Sequence, residues 1–337
     1  MAGFKDGARV VVAIATGCAL VLAGAGAVTI ANETSSSTGH PPNTRPSRTA
    51  TVAAQSPLSG PFVGRIRIDD GRELYLRCAG TGKRTVVLES GIHDSSDTWT
   101  ISATDAAPVF TEVAKYAHVC MYDRPGTIRY SSPPALTTRS TPVAMPRTLS
   151  GMASDLHALL NAAHIPGPYV LVGHSYGGMI VREFAQTYPR SSAGIVFVDA
   201  FGPNIAELFG SQWPAYAQTL NKPGTALDDK PGWETVDPDE AIHTVQRDGP
   251  LPRIPAVVIS KTEPFAVSPS VPAAITQTLE RAWPQVQDAL VALEPDTPHV
   301  RATGSDHYVQ LHDPDLVSSM IRLVLHRSEA KAALGID

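Results

Sequence analysis

The 337-residue chain holds only three cysteines, 18% charged residues and no excess of positive charge. Each scarcity removes a class of protein. Three cysteines cannot build the disulfide framework of a small secreted scaffold. Lys and Arg number 27 against 32 Asp and Glu, a net charge of −5. Nucleic-acid binders normally present a basic face, so no nucleic-acid partner is expected. The chain has no His-Glu-x-x-His and no Cys/His cluster with zinc spacing, so neither a metal nor another cofactor is expected. The 29 prolines and 26 glycines demand many turns and exclude long coiled coils. An apolar content of 43% with so little charge excludes a wholly disordered chain. At roughly 150 residues per domain, the length fits two domains or one large α/β domain with additions.

Lys5 and Arg9 precede an uncharged apolar stretch over 10–31. A positive region followed by an apolar one is the pattern of a secretory signal. Small residues at 23–27 offer cleavage sites, yet the stretch also reaches the roughly 20 residues that span a bilayer as a helix. Residues 1–31 are therefore read as a signal peptide or an uncleaved signal anchor. Cys18 lies in only a faint lipoprotein box, with Ala15 where Leu is usual. Residues 32–60 are rich in Ser, Thr and Pro and read as a disordered linker. The remainder, with a domain expected over 61–330, carries 23 basic and 30 acidic side chains, a formal −7. The expectation is a mildly acidic domain, secreted where that segment is cleaved, or else held at the cell surface by membrane anchoring through the N-terminal segment.

Within it, 62–68 and 73–78 alternate about Asp70-Gly71, a hairpin signal. Short apolar runs at 85–88, 118–122, 169–172, 194–198, 256–260 and 300–302 read as strands. Helical spacing covers 149–163, 176–188, 275–293 and 313–326, the last with Asp313 or Asp315 as a cap. Apolar strands alternating with helices imply a mostly parallel sheet with helices on both faces. Residues 200–250 lack a clean period and read as a lid insertion. Gly80-Thr81-Gly82-Lys83 fails the phosphate-loop pattern, because Arg84 follows the lysine, and reads as a turn.

Chemistry concentrates in Gly173-His174-Ser175-Tyr176-Gly177, placed between an apolar strand and a helix. A serine at a sharp strand-to-helix turn leaves no room for side chains two positions either side, and glycine occupies both. The helix N-terminus beneath the hydroxyl favours developing negative charge.

Four ordered blocks carry a resemblance over about 62–327: Glu89-Ser90-Gly91-Ile92, Tyr122-Asp123-Arg124-Pro125-Gly126, Gly173 to Gly178, and Gly304-Ser305-Asp306-His307-Tyr308. The chain resembles an α/β-hydrolase, which implies an eight-stranded-type sheet and a serine hydrolase or esterase of exported bacterial type. Ser175 is then the nucleophile and His307, among eleven histidines, its base. His174 is expected to point away along the helix start. Asp199, ending the sixth strand, is favoured over Glu263 as the acid that orients the base. Backbone N–H groups of Ile92 and Tyr176 are the implied oxyanion donors. His93 and Asp94 are candidates for the entrance or for solvated loop. Trp99, Trp213, Trp233, Phe201 and Phe209 are candidates for an acyl pocket or for packing. In this fold the strands of Cys78 and Cys120 are neighbours, which permits a disulfide or two buried thiols. The expected substrate is a small ester or lipid-like molecule, with an amide as a variant. The rivals are a catalytically silent binding protein on this fold and a cofactor-free lyase or peroxidase.

Overall fold

The computed structural model describes residues 58–69 and 71–335. The signal or anchor segment, the linker up to residue 57 and Asp70 of the hairpin signal lie outside them. Ten strands follow in chain order among the described residues. They are β1 (Phe62–Arg67), β2 (Glu73–Ala79), β3 (Thr85–Glu89), β4 (His118–Tyr122), β5 (Ile128–Arg129), β6 (Ala135–Leu136), β7 (Tyr169–His174), β8 (Ser192–Val198), β9 (Ala256–Lys261) and β10 (His299–Ala302). Eight of them form one sheet in the order β1-β2-β4-β3-β7-β8-β9-β10, and β5 pairs with β6 apart from it. From β4 to β10 every neighbouring pair is parallel, whereas β1 and β2 run antiparallel at one margin. The mostly parallel sheet expected from the sequence is the one observed.

The helices are α1 (Val109–Val113), α2 (Leu149–Ala162), α3 (Gly177–Thr187), α4 (Ile205–Phe209), α5 (Trp213–Asn221), α6 (Pro238–Arg247), α7 (Ala273–Val291), α8 (Val309–His312) and α9 (Pro314–Ala333). Strand alternation sorts the core. Leu171, Ile195, Phe197 and Val258 pack with α2, α3 and α7 on one face. Val170, Val172, Val196, Val198 and Ile259 pack with α1 and α9 on the other. Both sides of the central strands are covered, which is why these runs are apolar throughout. Each such side chain contributes about 1.5–3 kcal/mol of burial.

Asp313 caps α9, its carboxylate accepting from the Leu316 N–H at 3.1 Å. Helix α7 continues through Pro284, as its spacing suggested. Residues 200–250 differ from the irregular reading: they hold α4, α5 and α6. These helices are five, nine and ten residues long, too short and too proline-rich to print a clear period. Leu58, in the stretch read as linker, donates its N–H to His164 O at 3.2 Å and packs partly on the core. Cys78 and Cys120 face each other across β2 and β4 and form a disulfide, Cα atoms 4.1 Å apart.

Candidate active site

The turn between β7 and α3 holds Ser175 at φ +52°, a left-handed conformation rarely adopted by a non-glycine residue. Its neighbours make that turn possible. A Cβ on Gly173 would lie 2.6 Å from Gly177 O, and one on Gly177 would lie 2.5 Å from Ser90 O. The turn is fastened by Ser175 N–H to Val198 O at 3.2 Å and by Phe201 N–H to Ser175 O at 2.9 Å. Strain of this kind, of order 1–3 kcal/mol, persists only where surrounding contacts over-determine it.

Asp199 follows β8, also at positive φ (+41°), and is fully buried. Its Oδ1 accepts the Lys261 N–H at 3.0 Å, and its Oδ2 lies 2.6 Å from His307 Nδ1. A carboxylate accepts, so Nδ1 carries a proton, and it is Nε2 that holds the lone pair whenever the ring is neutral. Ser175 and His307 line the same cavity, together with Ile92, Asp94, Phe201, Tyr216, Leu220, Trp283 and Tyr308. Its volume is about 10 Å³, roughly enough for one water. The structure thus brings Ser175, His307 and Asp199 to one place from β7, the loop after β10 and the end of β8. Glu263 lies in an exposed loop whose N–H donates to Ser305 O, away from the His307 ring nitrogens. Asp306 is engaged by His312 Nδ1 at 2.9 Å and by the Tyr308 N–H.

His174 does not line the cavity of Ser175, but it is not idle. Its ring lies 4.7 Å from that of His307, and its Nε2–H donates to His307 O at 2.9 Å. It therefore ties the base-bearing loop to the nucleophile's own turn. Burial, and next the neighbouring His307, hold its pKa well below the ordinary value, so the ring is neutral.

The loop after β3 is fixed by buried charge. Arg124 is 3% exposed, and all five of its N–H groups find acceptors. Nη1 donates to Glu89 Oε1 at 2.5 Å and Ser90 O at 2.9 Å. Nη2 donates to Gly91 O at 2.6 Å and Glu234 Oε2 at 3.0 Å, and Nε to Glu234 Oε1 at 2.7 Å. The carbonyl and N–H of one trans peptide point opposite ways, so holding Gly91 O also sets the direction of Ile92 N–H. Glu234 Oε2 accepts the next N–H, that of His93, at 2.6 Å. Burial pushes the Glu234 carboxyl up, but Arg124 and the His93 N–H more than offset it and hold it below the usual range. Burial lifts Glu89 against the same Arg124. Among the described residues, neither Ile92 N–H nor Tyr176 N–H donates to a backbone oxygen, and Ile92 reaches the cavity.

His93 and Asp94 are not solvated loop, being 0% and 1% exposed. His93 stacks on Trp233 at 4.2 Å and donates through Nε2 to Leu220 O. Asp94 Oδ1 accepts from Tyr130 Oη at 2.5 Å. Of the five aromatic candidates only Phe201 lines the cavity. Trp99 belongs to the core beneath the sheet, and Phe209 and Trp213 pack with Tyr216. Trp283 was not singled out from the sequence, yet its ring meets His307 edge-on at 5.4 Å. Its signal was weak: one apolar position on a helix that continues past a proline. Among the described residues one trio has metal-ligand proximity, Cys78, His118 and Cys120, and its two sulfurs are joined to each other.

A strained serine, an oriented imidazole and a braced loop at the carboxyl edge of a parallel sheet define a hydrolase site. The model of the Alpha/beta hydrolase family matches residues 86–319, and the chain belongs to that family. The chain is similar to an uncharacterized protein of Bacillus subtilis, YqjL, with 23% identity over 71% of this chain and 82% of that one. Its fold is similar to that of a thermophilic esterase from Thermogutta terrifontis, with TM-score 0.50, 18% identity, 79% of this chain and 99% of the other. It is also similar in fold to E-2-(acetamidomethylene)succinate hydrolase, with TM-score 0.52, 17% identity, 79% of this chain and 99% of the other.

Proposed function

We propose that the protein is an exported serine hydrolase that cleaves small esters through an acyl-enzyme on Ser175. One observation carries this reading: the 2.6 Å contact of Asp199 Oδ2 with His307 Nδ1 in a chain that puts His307 and Ser175 on one cavity. A serine hydroxyl is a weak nucleophile until a base takes its proton. His307 Nε2, left unprotonated, takes it as Ser175 Oγ attacks the ester carbonyl. The resulting imidazolium is stabilised by Asp199. The carbonyl oxygen becomes an oxyanion, met by Ile92 and Tyr176 N–H groups, each worth about 3–4 kcal/mol. Collapse of the intermediate expels the alkoxide, which leaves as the alcohol with the proton from His307. Water, activated by the same imidazole, then releases the acid and restores Ser175.

Phe201, Tyr216, Leu220 and Trp283 give the cavity apolar walls suited to the hydrocarbon part of an ester. Export rests on the sequence of 1–31 alone.

A fluorophosphonate probe tests the reading. Ser260 Oγ also lies 2.6 Å from a histidine nitrogen, His299 Nε2, so the label is mapped by peptide mass spectrometry. Label on Ser175 in the wild type and none on that peptide in Ser175→Ala is expected, with turnover of small esters by the wild type alone. Absence of label and of turnover at native fold would support the silent binding protein instead.

A further inference from the structure

The amino edge of the sheet, opposite the site, carries a groove whose charge runs against that of the domain. Arg84, Arg190, Arg253 and Lys331 line it with Pro168 and its neighbours, around about 490 Å³, and no acidic side chain is in that lining. Arg84 immediately precedes β3, Arg190 lies between α3 and β8, Arg253 precedes β9, and Lys331 is in the last turn of α9. Lys83 and Arg322 line the adjoining cleft. Two acids stand at the margin: Glu329 in that cleft, and Glu294 within the field of Arg253 and Lys331. Four cations gathered on one edge of a domain with formal charge −7 are a local reversal of sign.

The chain joins the fold at this same edge. Leu58 N–H bonds His164 O, four residues before Pro168 of the groove, and β1 starts opposite Cys78 near the end of β2. The residues before Leu58 include the apolar stretch 10–31, read above as a signal or membrane anchor. Residues 32–57, read above as part of a linker, join that stretch to this edge. Such a tether keeps nearest to a bilayer the edge it is attached to. We propose that the amino edge is a membrane-facing surface whose cations bind anionic phospholipid headgroups, leaving the Ser175 edge turned to the medium. Attraction of this kind multiplies affinity roughly fivefold per cation and fades within a Debye length of about 8–10 Å. The inference stands apart from the reaction at Ser175.

The test uses the full-length chain with vesicles of phosphatidylcholine alone or of phosphatidylcholine mixed with phosphatidylglycerol, read by amide hydrogen exchange. Slower exchange is expected around residues 188–194 and 251–255 on the anionic vesicles only, and is expected to vanish at high salt. The double variant R190E/R253E changes two exposed side chains far from the site. It should bind anionic vesicles at least about twentyfold more weakly, with unchanged ester turnover and melting temperature. Equal protection on both lipids, or protection confined to the Ser175 edge, overturns the proposal. The same protection from glycerol phosphate without vesicles overturns it too, in favour of a soluble-anion site. Absence of ester turnover in the wild type would count against the hydrolase reading alone and leave this proposal standing.

Discussion

The two edges of one sheet treat arginine in opposite ways. At the carboxyl edge Arg124 is buried, and Glu89, Glu234 and two carbonyls use its whole donor set. At the amino edge Arg190 and Arg253 are exposed beside further cations. A buried charge must be matched in direction as well as sign, so it fixes geometry. Exposed charges of one sign fix little locally, but their fields add. The same residue type thus holds a loop still on one edge and sets a surface potential on the other.

Substitutions can break that contrast. The largest expected effect is at the carboxyl edge, where Asp199→Asn should lower kcat roughly 10⁴-fold with KM little changed. Steady-state kinetics decide this, and a variant keeping a tenth of wild-type kcat would remove Asp199 from the chemistry. Next, Arg124→Met should lose about 3–5 kcal/mol by leaving two buried carboxylates unmatched, whereas Arg190→Met should stay within about 0.5 kcal/mol. Chemical denaturation of both shows whether the edges differ as described; equal losses would erase the distinction. The disulfide is a third kind of tie, covalent rather than ionic. Replacing Cys78 and Cys120 by Ala should lower stability by about 4 kcal/mol, given a loop of 42 residues. A smaller effect is expected for Glu234→Gln, which keeps shape but weakens the hold on Arg124 and His93 N–H. kcat should fall about tenfold at constant KM, with a matching loss of affinity for a trifluoromethyl-ketone inhibitor. A purely structural role would move the melting temperature instead.

The gentlest test is pH. His93 and His174 are buried and held below their ordinary pKa, chiefly by desolvation. The unfolded chain therefore takes up protons that the folded one refuses. Their contribution to stability is complete above about pH 6.5 and declines as pH falls below it, by about 1.4 kcal/mol per pH unit per ring. Melting temperatures followed from pH 7 to 5 should drop, and less steeply in His174→Gln. A flat profile would mean that the rings are not held neutral.

The sequence made some of this legible because some residues constrain the backbone where they stand. Gly173 and Gly177 announce a turn that only small residues fit, and His307 stands in a block with a recognisable order. Asp199 could be preferred over Glu263 because it ends the sixth strand, where the family resemblance implies an acid in some members. Other parts depend on distance. Arg124 and Glu234 are 110 residues apart, and nothing periodic links them. The partner of His174 was hidden for the same reason: it is the backbone oxygen of His307, 133 residues away. Trp283 meets the cavity only once separate elements have packed, whereas Asp94 was already a candidate for its entrance.

Glu234 has one further consequence. Its carboxylate grips both the arginine beneath the loop and the amide of His93, so this part of the insertion is riveted, not hinged. Drawing it aside would strand a guanidinium in the interior, a state populated in roughly one molecule per hundred or fewer. The hold reaches α5 as well, because His93 Nε2 donates to Leu220 O and Trp233 Nε1 to Asn221 O, so the floor beside Trp233 stays shut.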